Sequence, residues 1–185
     1  MTTRTFAIRP AGAGDMDAVA AIYGADVLTA TASFEIEPPS PEDMGSRFAA
    51  ITGAGYPYFV AVAAGDVAGY AYASEYRSRP GYRYTVENSV YVKSDYRGSG
   101  AGRALLARLI DTCSAQGYRQ MLAVIGGADN APSIRLHAAL GFREVGRLPA
   151  VGRKFDQWID TMLMQRALGD GAQNPPSKVQ TRFQR

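Results

Sequence analysis

A glycine-rich stretch, SDYRGSGAGR at residues 94–103, constrains the fold more than any other part of the chain. It stands between VENSVYV, which has the β-branched character of a strand, and ALLARLI, which has the apolar spacing of a helix. Gly98, Gly100 and Gly102 alternate through it, and a glycine backbone can approach a partner closely because it carries no side chain. The stretch therefore predicts a strand-to-helix connection whose main chain lies close to something else.

Three interpretations of these glycines are open at this point. A nucleotide-triphosphate loop needs lysine and then serine or threonine after its last glycine, but Arg103 and Ala104 stand there. A dinucleotide site needs the spacing G-x-G-x-x-G near the start of a domain, whereas this G-x-G-x-G lies past the middle of the chain. A glycine-rich turn that holds no ligand is the third interpretation, and the glycines alone do not exclude it.

The spacing of apolar residues predicts elements in the order β-α-α-β-β-β-α-β-α-β-β. The predicted strands cover 5–9, 58–63, 67–74, 85–92, 120–125, 142–147 and 155–165. The predicted helices cover 15–28, a segment opened by Ser40 as N-cap, 103–115, and a segment from Asn130 to Gly141. This order predicts an α/β protein of α+β-like type. Its central sheet is mixed, mostly antiparallel, of about seven strands with about four flanking helices and one central parallel crossover.

Length and composition restrict the possible classes. A chain of 185 residues fits one domain, predicted over 1–168, and the aperiodic segment 169–185 is predicted to be a flexible tail. A net charge of +3 gives no general support for nucleic-acid binding, and the single cysteine excludes an internal disulfide. We expect no metal. Because the start has no apolar signal core and no apolar run reaches about 18 residues, we expect a cytoplasmic protein without a membrane partner.

Two segments carry a family resemblance. The first is Arg97-x-x-Gly100-x-Gly102 at the head of a helix, and the second is NAPSIRLHAALGF at 130–142. Placed on consecutive βα units, they resemble the GCN5-related N-acetyltransferase (GNAT) superfamily. TVENSVYV, VGRKFDQWIDTMLMQ, FEIEPPSPEDM and YRSRPGYRYTVE are similar to its phosphinothricin and methionine sulfoximine (sulfone) N-acetyltransferase branch, and the similarity covers about 8–165.

The resemblance implies that the glycine stretch binds acetyl-coenzyme A (acetyl-CoA). Successive backbone N–H groups at a helix N-terminus form an anion site that suits a pyrophosphate, and Arg97 and Arg103 are expected to add charge-assisted contacts. The residues expected to bind the cofactor are Val90, Tyr91, Val92, Arg97, Gly98, Ser99, Gly100, Ala101, Gly102, Arg103, Asn130 and Ser133. Asn130 is equally explained as a helix N-cap without further function.

Acetyl transfer to an amine needs a base for the amine, a donor for the thioester carbonyl and a proton for the departing thiolate. By resemblance Glu87, the only acid between Glu75 and Asp95, is the general base. A backbone N–H of its strand, at Val90, is expected to polarise the carbonyl where the family has a bulge. His137 is the candidate proton donor, where many relatives have tyrosine. The alternatives are an outward-facing glutamate on a strand and a histidine packed in the core.

The acceptor implied by the resemblance is the α-amino group of a small amino acid or analogue, acetylated directly in a ternary complex. Phosphinothricin, methionine sulfoximine and methionine sulfone are the expected substrates. The residues expected to bind the acceptor are Phe34, Arg77, Ser78, Arg79, Tyr82 and Glu87, with Glu35 beside Phe34. A planar guanidinium matches a carboxylate, which favours Arg77 as its partner. The alternatives are an acetyltransferase for a protein or peptide amine and a non-catalytic CoA-binding regulator.

The late segment FDQWIDTMLMQ carries more apolar side chains than one small sheet edge needs. They are Phe155, Trp158, Ile159, Met162 and Met164. With the resemblance, this surplus predicts a homodimer. The alternative is that all of these side chains fill the core of a single chain.

Overall fold

The computed structural model describes residues 5–127 and 130–176, and these residues form the predicted order of strands and helices. The strands are β1 (Ala7–Pro10), β2 (Tyr58–Ala63), β3 (Asp66–Glu75), β4 (Thr85–Val92), β5 (Gln120–Gly126), β6 (Arg143–Lys154) and β7 (Gln157–Ala167). The helices are α1 (Met16–Thr29), α2 (Pro41–Gly53), α3 (Ala101–Ala115) and α4 (Ala131–Ala139).

All of these strands belong to one seven-stranded sheet with the order β1-β2-β3-β4-β5-β7-β6. β4 and β5 are parallel, and the other neighbouring pairs are antiparallel. Parallel neighbours need a crossover connection, and α3 supplies it directly after the glycine stretch. The predicted mixed sheet with one central crossover is confirmed.

The two faces of the sheet pack against different helices. On one face the buried core includes Leu105, Leu106 and Leu109 of α3 with Met121 of β5. Burial of each such side chain contributes roughly 1.5–3 kcal/mol. On the other face α1 and α2 cover a group of strand tyrosines, and Tyr23 of α1 joins them in stacked or edge-to-face contact; the strand residues are Tyr58, Tyr70, Tyr72 and Tyr91. We call these the α3–α4 face and the α1–α2 face.

The start of α2 shows how local chemistry positions a helix. Ser40 Oγ accepts a hydrogen bond from the Asp43 N–H at 3.1 Å, and Asp43 Oδ2 accepts one from the Ser40 N–H at 3.0 Å. Pro41 stands at the first turn, where its missing N–H costs no helical hydrogen bond. This reciprocal capping confirms the predicted helix start.

The closing hairpin differs from its prediction, which ends one strand at 147 and begins the next at 155. β6 continues to Lys154 because Pro149 falls within a register shift between Leu148 and Gly152, where a residue without an N–H is tolerated. Phe155 and Asp156 form the turn itself, with φ of 51° and 58°. Phe155 is therefore a turn residue of a long hairpin whose β6 lies at the edge of the sheet.

Residues 169–176 are the described part of the predicted tail, and 177–185 lie outside the described residues. Asp170 pairs with Arg119 at 3.3 Å, and Arg119 Nη2 donates to the carbonyl of Pro175 at 3.3 Å. Within 5–127 and 130–176, no helix combines the length and apolar character needed to span a membrane.

Candidate active site

An opening lies between β4 and β5 where their pairing stops. The two strands pair only over 85–88 and 120–123, although β4 continues to Val92 and β5 to Gly126. Beyond Asn88 and Ala123, the backbone groups of β4 and β5 do not pair with each other. An extended ligand can hydrogen-bond to the unpaired strand edges in this opening.

The N–H of Val90 faces this opening. Backbone groups in an antiparallel pair alternate between the two sides of a strand. The N–H of Lys93 donates to the Ala68 carbonyl of the β3 side at 2.9 Å, so Val90, three residues earlier, turns its N–H to the β5 side. The bulge expected at Val90 is wrong, because β4 keeps one unbroken register with β3 from Val86 to Val92. Regular alternation alone points this amide at the opening.

The glycine stretch presents an open main chain at the start of α3. Gly98 and Gly100 have φ of 73° and 98°, a region that costs other residues roughly 1–2 kcal/mol. A Cβ on either would meet no heavy atom within 4 Å, and no side chain caps the helix. Its first N–H groups can therefore bind an anion. Gly102 differs, since a Cβ there would lie 3.3 Å from Leu136 and 3.4 Å from Val92, which indicates a packing role.

Arg97 is already engaged with the protein. Its Nη2 donates to Asp26 Oδ1 of α1, and its Nε donates to the carbonyl of Val92 at 3.3 Å. Burial raises the pKa of Asp26, and the charge and hydrogen bond of Arg97 oppose that shift. A guanidinium has five N–H donors, so the remaining ones can still meet a phosphate.

The other predicted cofactor residues occupy varied positions around the stretch. Arg103 is exposed on the first turn of α3, and Ala101 is buried there. Ser99 donates its hydroxyl to the carbonyl of Tyr96. Tyr91 lies edge-on to Tyr23 with ring centroids 5.0 Å apart, on the α1–α2 face.

Glu87 lies on the α1–α2 face of β4, because strand alternation places it with Ser89 and Tyr91. It is half-buried, and burial raises the pKa of its carboxyl. Among the residues that the structure describes, burial is the only cause of this shift. Tyr72, which is hydrogen-bonded to Ser89, stands next to it; burial raises the pKa of Tyr72 and the charge of Glu87 adds to that shift.

His137 lies on the α3–α4 face, on the other side of the sheet from Glu87. Its Nε2 is 3.0 Å from Asn88 Oδ1, and its Nδ1 is 2.8 Å from the carbonyl of Ser133. The amide of Asn88 donates in turn to the carbonyl of Leu122 at 2.8 Å. Burial lowers the pKa of His137, so the ring is neutral at neutral pH. These contacts tie α4 to the paired part of β4.

Asn130 acts as the N-cap of α4. Its Oδ1 accepts a hydrogen bond from the Ser133 N–H at 3.3 Å, and Pro132 lies in the first turn. The capping interpretation is therefore sufficient for Asn130, as the sequence allowed.

Arg77 lies in the loop between β3 and β4, exposed and beside two aromatic rings. Its guanidinium carbon is 5.2 Å from the ring centroid of Tyr76 and 5.7 Å from that of Tyr82. Ser78 and Arg79 are exposed in the same loop. In the described part of the chain Arg77 has no ion-pair partner, so its planar donors are available to a carboxylate.

Phe34 and Glu35 follow α1 and are held by different neighbours. The ring of Phe34 rests on Gly152 of β6, where an added Cβ would be 1.9 Å from Phe34 Cε1. Arg47 of α2 donates from both terminal nitrogens to the carboxylate of Glu35, at 2.7 and 3.2 Å, and the hydroxyl of Tyr23 donates to it at 2.9 Å. The Arg47 contact lowers the pKa of Glu35.

Sequence reasoning missed Tyr72 and Arg47. Tyr72 had a signal, because Tyr70 and Tyr72 alternate on one face of a predicted strand that precedes Glu87. Arg47 had none, since its contact joins α2 to the loop after α1 and depends on how the two helices pack.

Comparison with known proteins identifies relatives over most of the chain. The model of the acetyltransferase (GNAT) family matches residues 24–142. A phosphinothricin N-acetyltransferase of Alcaligenes faecalis is 49% identical over 157 residues, which are 85% of this chain and 80% of that protein. An L-methionine sulfoximine/L-methionine sulfone acetyltransferase of Pseudomonas paraeruginosa is 44% identical over 159 residues, 85% of this chain and 92% of that protein.

A solved structure agrees with the fold. The phosphinothricin acetyltransferase of Sinorhizobium meliloti, in complex with AcCoA, has a TM-score of 0.91 and 48% sequence identity over 94% of each chain. The expected GNAT arrangement of sheet and helices is thereby confirmed.

Proposed function

We propose that this chain, which belongs to the acetyltransferase (GNAT) family, transfers the acetyl group of acetyl-CoA to the α-amino group of a small amino acid or analogue. The observation that carries the proposal is the arrangement on β4, where the Val90 N–H faces the opening and Glu87 stands beside it with a raised pKa. The names of the relatives support phosphinothricin, methionine sulfoximine and methionine sulfone as acceptors.

The residues present fit acetyl-CoA. The open glycines before α3 leave backbone N–H groups for a pyrophosphate, and Arg97 and Arg103 bring positive charge to the same end of the helix. The opening between β4 and β5 exposes strand edges that an extended amide-containing chain can meet. Likeness to a structure solved with AcCoA supports this fit. When bound, acetyl-CoA supplies an activated acyl carbon.

Glu87 serves as the general base in this proposal. An α-ammonium group must lose a proton before its nitrogen becomes a nucleophile, and a carboxylate whose pKa is raised by burial holds that proton better. The Val90 N–H donates to the carbonyl oxygen of the acetyl thioester as negative charge develops on that oxygen. Since Glu87 and Val90 belong to one strand, their separation is fixed by the strand itself.

Arg77 is the proposed partner of the acceptor carboxylate. Its guanidinium is exposed, flanked by Tyr76 and Tyr82, and lies in the loop that leads into β4. Phe34 and Tyr82 are the proposed apolar contacts of the acceptor, and Ser78 and Arg79 are its proposed polar contacts. His137 stays the predicted proton donor for the thiolate. Its contacts with Ser133 and Asn88 on the α3–α4 face instead support a role of His137 in positioning α4.

A cytoplasmic homodimer is also part of the proposal. The apolar side chains of the closing hairpin are of two kinds. Ile159 and Met164 are buried, whereas Trp158 is 67% exposed and Phe155 is 52% exposed. Val151, 56% exposed on the edge strand β6, extends the same hairpin. Apolar side chains exposed on one hairpin favour a second copy as their cover.

The test is a thiol-release assay with acetyl-CoA and a panel of acceptors. We expect turnover with phosphinothricin, methionine sulfoximine and methionine sulfone, and much weaker turnover with a peptide that has a free N-terminus. Preference for the peptide would favour acetylation of a protein amine. Binding of acetyl-CoA without turnover on any amine would favour a non-catalytic regulator. Comparing methionine sulfone with its methyl ester tests Arg77, because only the free acid offers a carboxylate.

A further inference from the structure

Lys154, the last residue of β6, is a buried cation in the described part of the chain. Only 3% of its surface is exposed, and its Nζ donates to the carbonyls of Ala30 and Ser33 at 2.9 Å each. The ring of Phe155 covers it, with the ammonium 5.1 Å from the ring centroid. A lysine is almost never fully buried without a specific partner, so this position calls for an explanation.

The two carbonyls belong to residues 30–35, the segment that carries Phe34 and Glu35; we call it the acceptor segment. Ala30 is the C-cap of α1, and a cation is favoured at a helix C-terminus. Two residues before Lys154, Gly152 receives the ring of Phe34. The end of β6 therefore holds the acceptor segment at two places, once through main-chain carbonyls and once through the contact of Gly152 with the Phe34 ring.

The charges around Lys154 make its burial tolerable. Burial lowers its pKa, and the carboxylates of Asp26 and Glu35 oppose that shift. Asp26 also pairs with Arg97 of the glycine stretch. A methionine would fill a similar volume without the cost of desolvating a charge, but it would offer no donor to the two carbonyls.

This inference rests on the proposed function. We propose that Lys154 is a positioning residue, which fixes the main chain of the acceptor segment and thereby sets the affinity for the amino-acid acceptor. Its ammonium touches neither Glu87 nor the glycine stretch in this structure. Loss of the two charge-assisted hydrogen bonds frees the segment that carries Phe34, while the strand edge and the helix start for acetyl-CoA stay in place.

The test compares Lys154→Met with Lys154→Arg, and uses Lys93→Met as a control. Lys93 forms a surface ion pair with Asp66 at 2.7 Å and lies away from the acceptor segment. We expect Lys154→Met to raise the acceptor KM about tenfold or more, with kcat at saturating acceptor and the calorimetric Kd for acetyl-CoA within about twofold of the parent. Lys154→Arg, which keeps donors and charge, should restore part of the affinity, and Lys93→Met should leave the acceptor KM unchanged.

An unchanged acceptor KM in folded Lys154→Met, or an equal loss of affinity for acceptor and acetyl-CoA, would overturn the inference. Should Lys154→Met not fold, Gly152→Ala provides the second variant, since its Cβ forces Phe34 to move while Lys154 keeps its charge; an unchanged acceptor KM there would also refute the idea. If the parent protein acetylates no amino acid, the proposed function fails first, and the two failures are thus distinguishable.

Discussion

Replacing Glu87 with glutamine separates catalysis from stability. Glutamine has nearly the same shape but cannot take a proton from an ammonium group. Loss of a general base costs about a hundredfold to ten-thousandfold in turnover, which equals about 2.7–5.4 kcal/mol of transition-state stabilisation. Because the N–H of Val90 and the glycine stretch are untouched, the affinity for acetyl-CoA should stay unchanged.

The same substitution should not destabilise the fold. In the folded protein burial raises the pKa of Glu87, so the folded state binds its proton more tightly than the unfolded state does. Ionisation of Glu87 therefore lowers the free energy of unfolding as the pH rises above the ordinary pKa of a glutamate, 4.5. Glu87→Gln removes this term, so its relative stability should be least favourable near pH 4 and more favourable at neutral pH.

Three measurements check this reasoning together. Thiol release gives the turnover, calorimetry gives the Kd for acetyl-CoA, and urea unfolding at several pH values gives the stability. In the parent, kcat/KM should fall as the pH drops through the raised pKa of Glu87, and Glu87→Gln should lack that limb. Parental turnover with the same pH profile would refute the role of Glu87. A stability that declines toward neutral pH relative to the parent would refute the account of its burial.

We expect three further outcomes. His137 is the only histidine, so its NMR titration is unambiguous: its pKa should lie below 6.5, and the free energy of unfolding should fall as the pH drops below about 6.5, because the unfolded state takes up the proton first. A midpoint above 6.5 would contradict this. Gly102→Val should lower the free energy of unfolding by about 1–3 kcal/mol through overpacking, whereas Gly45→Val, with open space around its Cβ, should not. Sedimentation should show a dimer that Trp158→Ser shifts toward the 19.8 kDa chain; a monomeric parent at micromolar concentration would remove the dimer.

Local chemistry accounts for the parts of the fold that the sequence predicts well. Ser40 and Asp43 stand at capping spacing, and the structure forms that reciprocal cap. The alternating glycines predict a connection with an open main chain, and two of them, Gly98 and Gly100, require a positive φ. Signals of this kind depend on a few consecutive residues, so they can be recognised without knowledge of the tertiary structure.

Apart from Tyr72, the features that sequence reasoning missed depend on contacts distant in the chain. Arg97 finds Asp26, seventy-one residues away, and Lys154 finds the carbonyl of Ala30 across an even longer separation. The continuation of β6 past Pro149 depends on a register shift against β7, which no short window reveals. Helix and strand patterns specify which face is apolar, but they do not specify which charged residue will meet which partner.

The directions of the side chains and backbone groups along β4 follow from the two-residue period of a strand. Side chains at 87, 89 and 91 point to the α1–α2 face, whereas the backbone of Val90 points along the sheet toward the opening. In the proposed mechanism Glu87 takes the proton of the amine on this face and the Val90 N–H bonds the carbonyl oxygen at the edge, so we expect the amine to arrive from the α1–α2 face. Arg77, Phe34 and Lys154 are the residues proposed to act on the acceptor, while the glycine stretch is proposed to bind acetyl-CoA. Substitutions on the face should therefore change the choice of acceptor and leave the binding of acetyl-CoA intact.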